Sequence, residues 1–128
     1  MTTNKTGIVV NLQVEGVHCW PECDVDGVEF LKNEHRHMFH ICAKKEVSHD
    51  DREIEIIDLK RQIWSYLMGE YKMAKSPECC TFGRMSCEAI ARLLTDKFGL
   101  YYCSVLEDGE NGAEIFTHEV NITKVEIA

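Results

Sequence analysis

Proline and glycine are scarce, at 2 and 8 of 128 residues, which leaves little material for flexible linkers and excludes a collagen-like or low-complexity chain. Basic side chains are in the minority. The 14 Lys and Arg stand against 22 Asp and Glu, a formal charge of −8. An acidic chain lacks the cationic footprint that phosphate backbones and anionic membrane surfaces require, so neither nucleic acid nor a membrane is expected as a partner. No apolar run approaches the ~20 residues of a membrane-spanning helix. Met1–Thr6 is polar with no apolar segment typical of a secretion signal after it, so a cytoplasmic location is expected. The seven cysteines are odd in number and include no C-x-x-C pair, which removes the usual support for a disulfide framework, a thioredoxin-like motif or a four-cysteine zinc ribbon. What remains is an ordinary folded-domain balance, 45% hydrophobic and 28% charged, in a length that suits one domain over residues 1–128.

Residues 8–17 alternate as a strand, with Val10, Leu12, Val14 and Gly16 on one face. Residues 19–34 read as an irregular loop that Phe30 and Leu31 anchor to the core. Residues 35–47 read as a second strand, with His35, His37, Phe39, Ile41 and Ala43 on one face and Met38, His40 and Cys42 on the other. A turn follows at 48–53, and Glu53–Ile57 extends as a short strand. Leu59, Ile63, Leu67 and Tyr71 recur every four residues and predict a helix over 58–73, with Asp58 as its N-cap. Residues 74–84, holding Pro77 and Gly83, read as a loop. Ser86 caps a second helix over 86–98, and Gly99 closes it. Strands at 101–107 and 113–120 flank a turn at 108–112 with Asn111–Gly112 chemistry, and the tail 121–128 extends the sheet. The expected fold is α+β in the order ββααββ, a four-stranded antiparallel sheet with two helices on one face. Such a sheet leaves an edge, which predicts a homo-oligomer.

Among the six histidines, three carry a pattern. His35 and His37, two apart on a strand, present both imidazoles to one face, and His18 at the end of the neighbouring strand supplies a third. Three neutral imidazoles with one open position is the layout of a catalytic zinc site, in which the ion polarises a bound oxygen. A closed structural zinc site using Cys19 and Cys23 with two of His35, His37 and His40 is the competing arrangement.

Several stretches taken in order resemble the 6-pyruvoyltetrahydropterin and 6-carboxytetrahydropterin synthases, the T-fold family. They are VEGVH (14–18), HRHMFHI (35–41), IEIIDLK (54–60), MSCEAIARLL (85–94) and SVLEDG (104–109). The resemblance implies zinc on His18, His35 and His37, and recognition by Glu107 of the amino-pyrimidine edge of a pterin- or guanine-like molecule. It places Glu88, which opens the second helix, among the substrate-binding residues. It also implies lyase or isomerase chemistry and a trimer-based assembly, extending to a hexamer, with Glu107 reaching zinc across an interface. Two family features are absent. Residues 29–34 hold no cysteine before His-x-His, and residues 69–84 hold no Asp-His pair. Cys87, at a helix N-terminus that favours a thiolate, is the candidate replacement for the cysteine. His49 and Asp50 are the candidates for the proton-transfer pair. Without such replacements the chain would be a pterin or guanine-nucleotide binder that performs no chemistry.

Overall fold

The structure is a computed structural model that describes residues 4–118. Its strands are β1 (Thr6–His18), β2 (His35–Val47), β3 (Lys72–Met73), β4 (Ser76–Gly83), β5 (Tyr102–Glu107) and β6 (Asn111–Phe116), and its helices are α1 (Ile56–Tyr71) and α2 (Cys87–Phe98). They form one six-stranded sheet in the order β3-β4-β1-β2-β5-β6. β1 pairs with β4 in parallel, and every other neighbouring pair is antiparallel. The sheet is therefore mixed, and the expected four-stranded antiparallel ββααββ T-fold is overturned. The α+β class stands.

The difference lies in residues 74–84. Immediately after α1 the chain reverses, with Lys72 opposite Cys80 and Met73 opposite Ser76. β4 then runs alongside β1 from Glu15–Cys79 to His18–Gly83. This pairing supplies partners for backbone groups that β1 would otherwise leave open on that side. Cys79, Cys80 and Phe82 are buried in the process. Gly16 permits it, because a Cβ there would stand 2.7 Å from the Phe82 ring and 3.1 Å from that of Phe39.

Alternation builds the core. Val10, Leu12 and Val14 of β1, Phe39, Ile41 and Ala43 of β2, and Cys103 and Val105 of β5 all face the helices. Leu59, Ile63 and Leu67 of α1 and Ile90, Ala91 and Leu94 of α2 close over them. Helix α2 is capped as expected. The Ser86 hydroxyl accepts from Ala89 N at 3.1 Å, and Gly99 takes the left-handed conformation. Helix α1 starts earlier than expected. Glu55, not Asp58, accepts from Ile57 N and Asp58 N, so 53–57 forms no strand. Phe30 does not anchor its loop. It is exposed on a 3-10 turn (Glu29–Lys32), while Trp20 N donates to Leu31 O across the loop at 2.7 Å. The strand expected to reach residue 120 ends at Phe116, and the tail 121–128 lies outside the described residues.

The β5–β6 hairpin turns at Asp108 and Gly109, both with positive φ, rather than at Asn111–Gly112. Gly112 lies within β6, where a Cβ would press into the Val105 carbonyl oxygen and stand 2.8 Å from Leu106 Cα. Backbone cannot rotate away as a side chain can. Gly112→Ala should therefore lower stability by about 1–3 kcal/mol, as overpacking does. Gly69→Ala, in a helix with open space around it, should instead raise it by about 0.5–1 kcal/mol. Parallel thermal melts check both, and equal melting temperatures for the two variants would refute the hairpin packing.

Candidate metal centre

Strand register assembles the site at one end of the sheet. His18 lies opposite His35, Gly16 opposite His37, and Phe39 opposite Glu107. All four side chains point to the helix-facing side, the three imidazoles through period-two alternation and Glu107 as the last residue of β5. The rings meet edge to face, with centroids 4.5 Å apart for His18–His35, 5.0 Å for His35–His37 and 5.6 Å for His18–His37. Phe39, fully buried, forms the floor against His18, His37 and Phe82.

Each imidazole is held by its Nδ1. His18 Nδ1 lies 2.9 Å from Met85 O, His35 Nδ1 2.9 Å from Asn33 O, and His37 Nδ1 2.7 Å from Asp108 Oδ2. Carbonyl and carboxylate oxygens only accept, so each Nδ1 must carry the donated proton. In a neutral imidazole held this way, Nε2 keeps its lone pair. The three rings converge with the Glu107 carboxylate, and the four ligand atoms lie within 4.8 Å of one another. Glu107 Oε2 stands 2.8 Å from His18 Nε2 and Oε1 3.5 Å from His37 Nε2. His18 is 7% exposed, and among the described residues its Nε2 has no hydrogen-bond partner of acceptable geometry. Lone pairs and a carboxylate gathered around a buried nitrogen make a donor set that a cation can bind. The residues fit a metal ion by the chemistry of their donors, and His18, His35, His37 and Glu107 can hold one.

The other expected site residues fare differently. Cys87 is beside the centre, with Sγ 3.8 Å from Glu107 Oε2. The expected thiolate is not favoured there. Burial first, and the Glu107 charge second, push the thiol up to about 12, against the pull of the helix N-terminus. Glu88 is exposed on the wall of an adjoining cavity of about 490 Å³, which Trp20, Leu31, His35 and Arg84 also line. Arg84 pairs with Glu22 at its rim. His49 and Asp50 are not brought to the site. They follow the far end of β2, and Asp50 accepts from Thr6 Oγ1 at the opposite end of β1 from His18. Thirteen-residue strands put roughly 40 Å between the two ends. Glu53 in that turn accepts from the Ser48 side chain and backbone, which hold its pKa below the usual carboxylate range.

Neither Cys19 nor Cys23 joins the histidine group. Cys23 is buried and directs Sγ to Val28 O, which removes the two-cysteine zinc arrangement. Glu107 reaches the histidines from the same chain rather than across an interface. Asp108, Met85 and Asn33, which fix the rings, had no signal in the sequence beyond the Asp108–Gly109 turn dipeptide.

No family model matches the chain, and no curated protein does. Among solved structures, the chain is similar to the crystal structure of an uncharacterized protein from Wolinella succinogenes. The likeness has a TM-score of 0.57 at 11% identity and covers 91% of this chain and all of that one. At that identity the likeness establishes a shared fold. Among the described residues no helix is long and apolar enough to cross a membrane.

Proposed function

We propose that this chain is a zinc-dependent protein that takes a pterin- or guanine-like small molecule into the cavity beside His18, His35 and His37. The observation that carries the reading is the set of three Nδ1 contacts, which leaves the Nε2 atoms free beside a carboxylate in a group whose ligand atoms lie within 4.8 Å of one another. Imidazole donors with one carboxylate suit zinc better than the oxygen-only sets that calcium or magnesium prefer. With three imidazoles bound, zinc would polarise a substrate oxygen in its remaining position. In that three-imidazole arrangement Glu107 would not ligate the ion, and its carboxylate, which lines the cavity, would hold or return a proton. The cavity is of the size that small-molecule sites usually have. Trp20 offers a face for a flat ring, and the Glu88 carboxylate can accept from an amino-pyrimidine edge. The ordered resemblance to the pterin synthases supports the ligand class and a lyase or isomerase reaction. A homo-oligomer is part of the same proposal, with β6 as an edge strand among the described residues.

A binding protein that performs no chemistry is the second reading. It is favoured by the distance of His49 and Asp50 from the centre. Metal content after purification without added metal tests the proposal. The wild type should carry zinc near one per chain, His35→Ala/His37→Ala none, and Cys19→Ala the wild-type amount. Pterins should then raise the melting temperature of the zinc-loaded protein, and turnover would separate enzyme from binder. A folded wild type that takes up no zinc would sink the zinc reading.

A further inference from the structure

Asp108 sits in a conformation that glycine adopts more easily. Its φ is +56°, in the left-handed region where side chains other than Asn and Asp are rare. What aspartate adds there is a two-handed contact. Oδ2 accepts from His37 Nδ1 at 2.7 Å, and Oδ1 accepts from Met38 N at 3.0 Å. Asp108 N meanwhile donates to Met38 O at 2.8 Å. The residue therefore adds one rung to the β2–β5 ladder beyond Phe39–Glu107, with a side-chain oxygen accepting where a backbone carbonyl would in a regular rung.

We propose that Asp108 is a positioning residue that fixes His37 in its ligating tautomer and ties that tautomer to the β5–β6 turn. Both oxygens face N–H donors, so only a group that accepts at both atoms satisfies the pair. An asparagine cannot do this. With its oxygen toward His37, its NH₂ meets the Met38 N–H, donor against donor. With its oxygen toward Met38, its NH₂ demands a lone pair on His37 Nδ1, which moves the ring proton to Nε2 and blocks that atom as a ligand. The carboxylate removes the choice. This is the outer partner that metal-binding histidines commonly need, and here it comes from the residue next to Glu107.

The inference rests on the proposed metal site, yet its test can be read without metal. In ¹⁵N-histidine-labelled, metal-free protein, long-range nitrogen–proton spectra should assign the His37 proton to Nδ1, with the resonance identified by its loss in His37→Gln. Asp108→Asn should move the proton toward Nε2. Asp108→Gly, which suits the turn, should keep the fold while leaving His37 without its acceptor. Both should weaken zinc binding by about 10- to 100-fold. Asp108→Glu, which can restore acceptance by a carboxylate, should recover part of the loss. An unchanged His37 tautomer in Asp108→Asn and Asp108→Gly would overturn the proposal, whatever happens to zinc. If the wild type binds no zinc but the tautomer shifts as described, the metal reading fails and the positioning role stands.

Discussion

Zinc at about 1,000 times its dissociation constant should raise the melting temperature of this protein by roughly 15 °C over the same protein in chelator. Binding to the folded state alone stabilises by about 4 kcal/mol at that ratio. A domain of this size shifts by about 4 °C per kcal/mol. His18→Ala should abolish the rise. His18 is the most buried of the four donors, and among the described residues its Nε2 has no hydrogen-bond partner of acceptable geometry. Because the comparison is made within each variant, with and without zinc, any loss of packing from the substitution itself cancels. A full rise in His18→Ala would mean that zinc binds elsewhere on the chain.

Phe39→Ala should lower the free energy of unfolding by about 3–5 kcal/mol, the range for deleting a buried aromatic ring. Phe39 has no exposed surface, and its ring meets Phe82 at 5.2 Å, His18 at 5.2 Å and His37 at 5.9 Å, all near perpendicular. Edge-to-face pairs add about 0.5–1.5 kcal/mol each beyond burial when the ring is lost. The same substitution removes the floor beneath two imidazoles, so zinc affinity should fall with stability. Phe39→Leu, which refills most of the volume, should cost less. Urea unfolding with an unchanged m-value measures the loss. A loss under about 1 kcal/mol would show that the core collapses into the space, against the close packing of Phe39, Phe82 and Gly16.

The parts of this fold that could be read from the chain are those whose physics is local. The alternation of β1 and β2 follows from one buried face, and Ser86 and Gly99 mark α2 by their own conformational chemistry. The start of α1 escaped because Glu55 caps it through a longer side chain than the usual capping residues have. Strand β4 escaped for a different reason. Cys79 and Cys80 are adjacent and both buried, so no period of two appears, and Pro77 and Gly83 bracket the stretch as they would a loop. The centre divides in the same way. His18, His35 and His37 were legible from spacing, and Glu107 from an ordered resemblance. Of the three groups that orient the rings, Asn33 O is two residues from His35, but the others are a carbonyl 67 residues from His18 and a left-handed aspartate 71 residues from His37, and no local pattern announces either.

Those long separations bear on the order of events during folding. The β1–β2 hairpin can bring three imidazoles together on its own, but Met85 and Asp108 arrive only after β4, α2 and β5 have closed loops of many tens of residues. Non-local closures of that kind are the slow steps in folding. A three-histidine hairpin without them holds only His35, through Asn33 O, and leaves His18 and His37 with free ring tautomers and no Glu107 carboxylate. In small modules nucleated by their ion, metal comes first and structure follows. Here the sequence separation would reverse that order, and an ion taken up by His18, His35, His37 and Glu107 would be a late report that the whole sheet is in register.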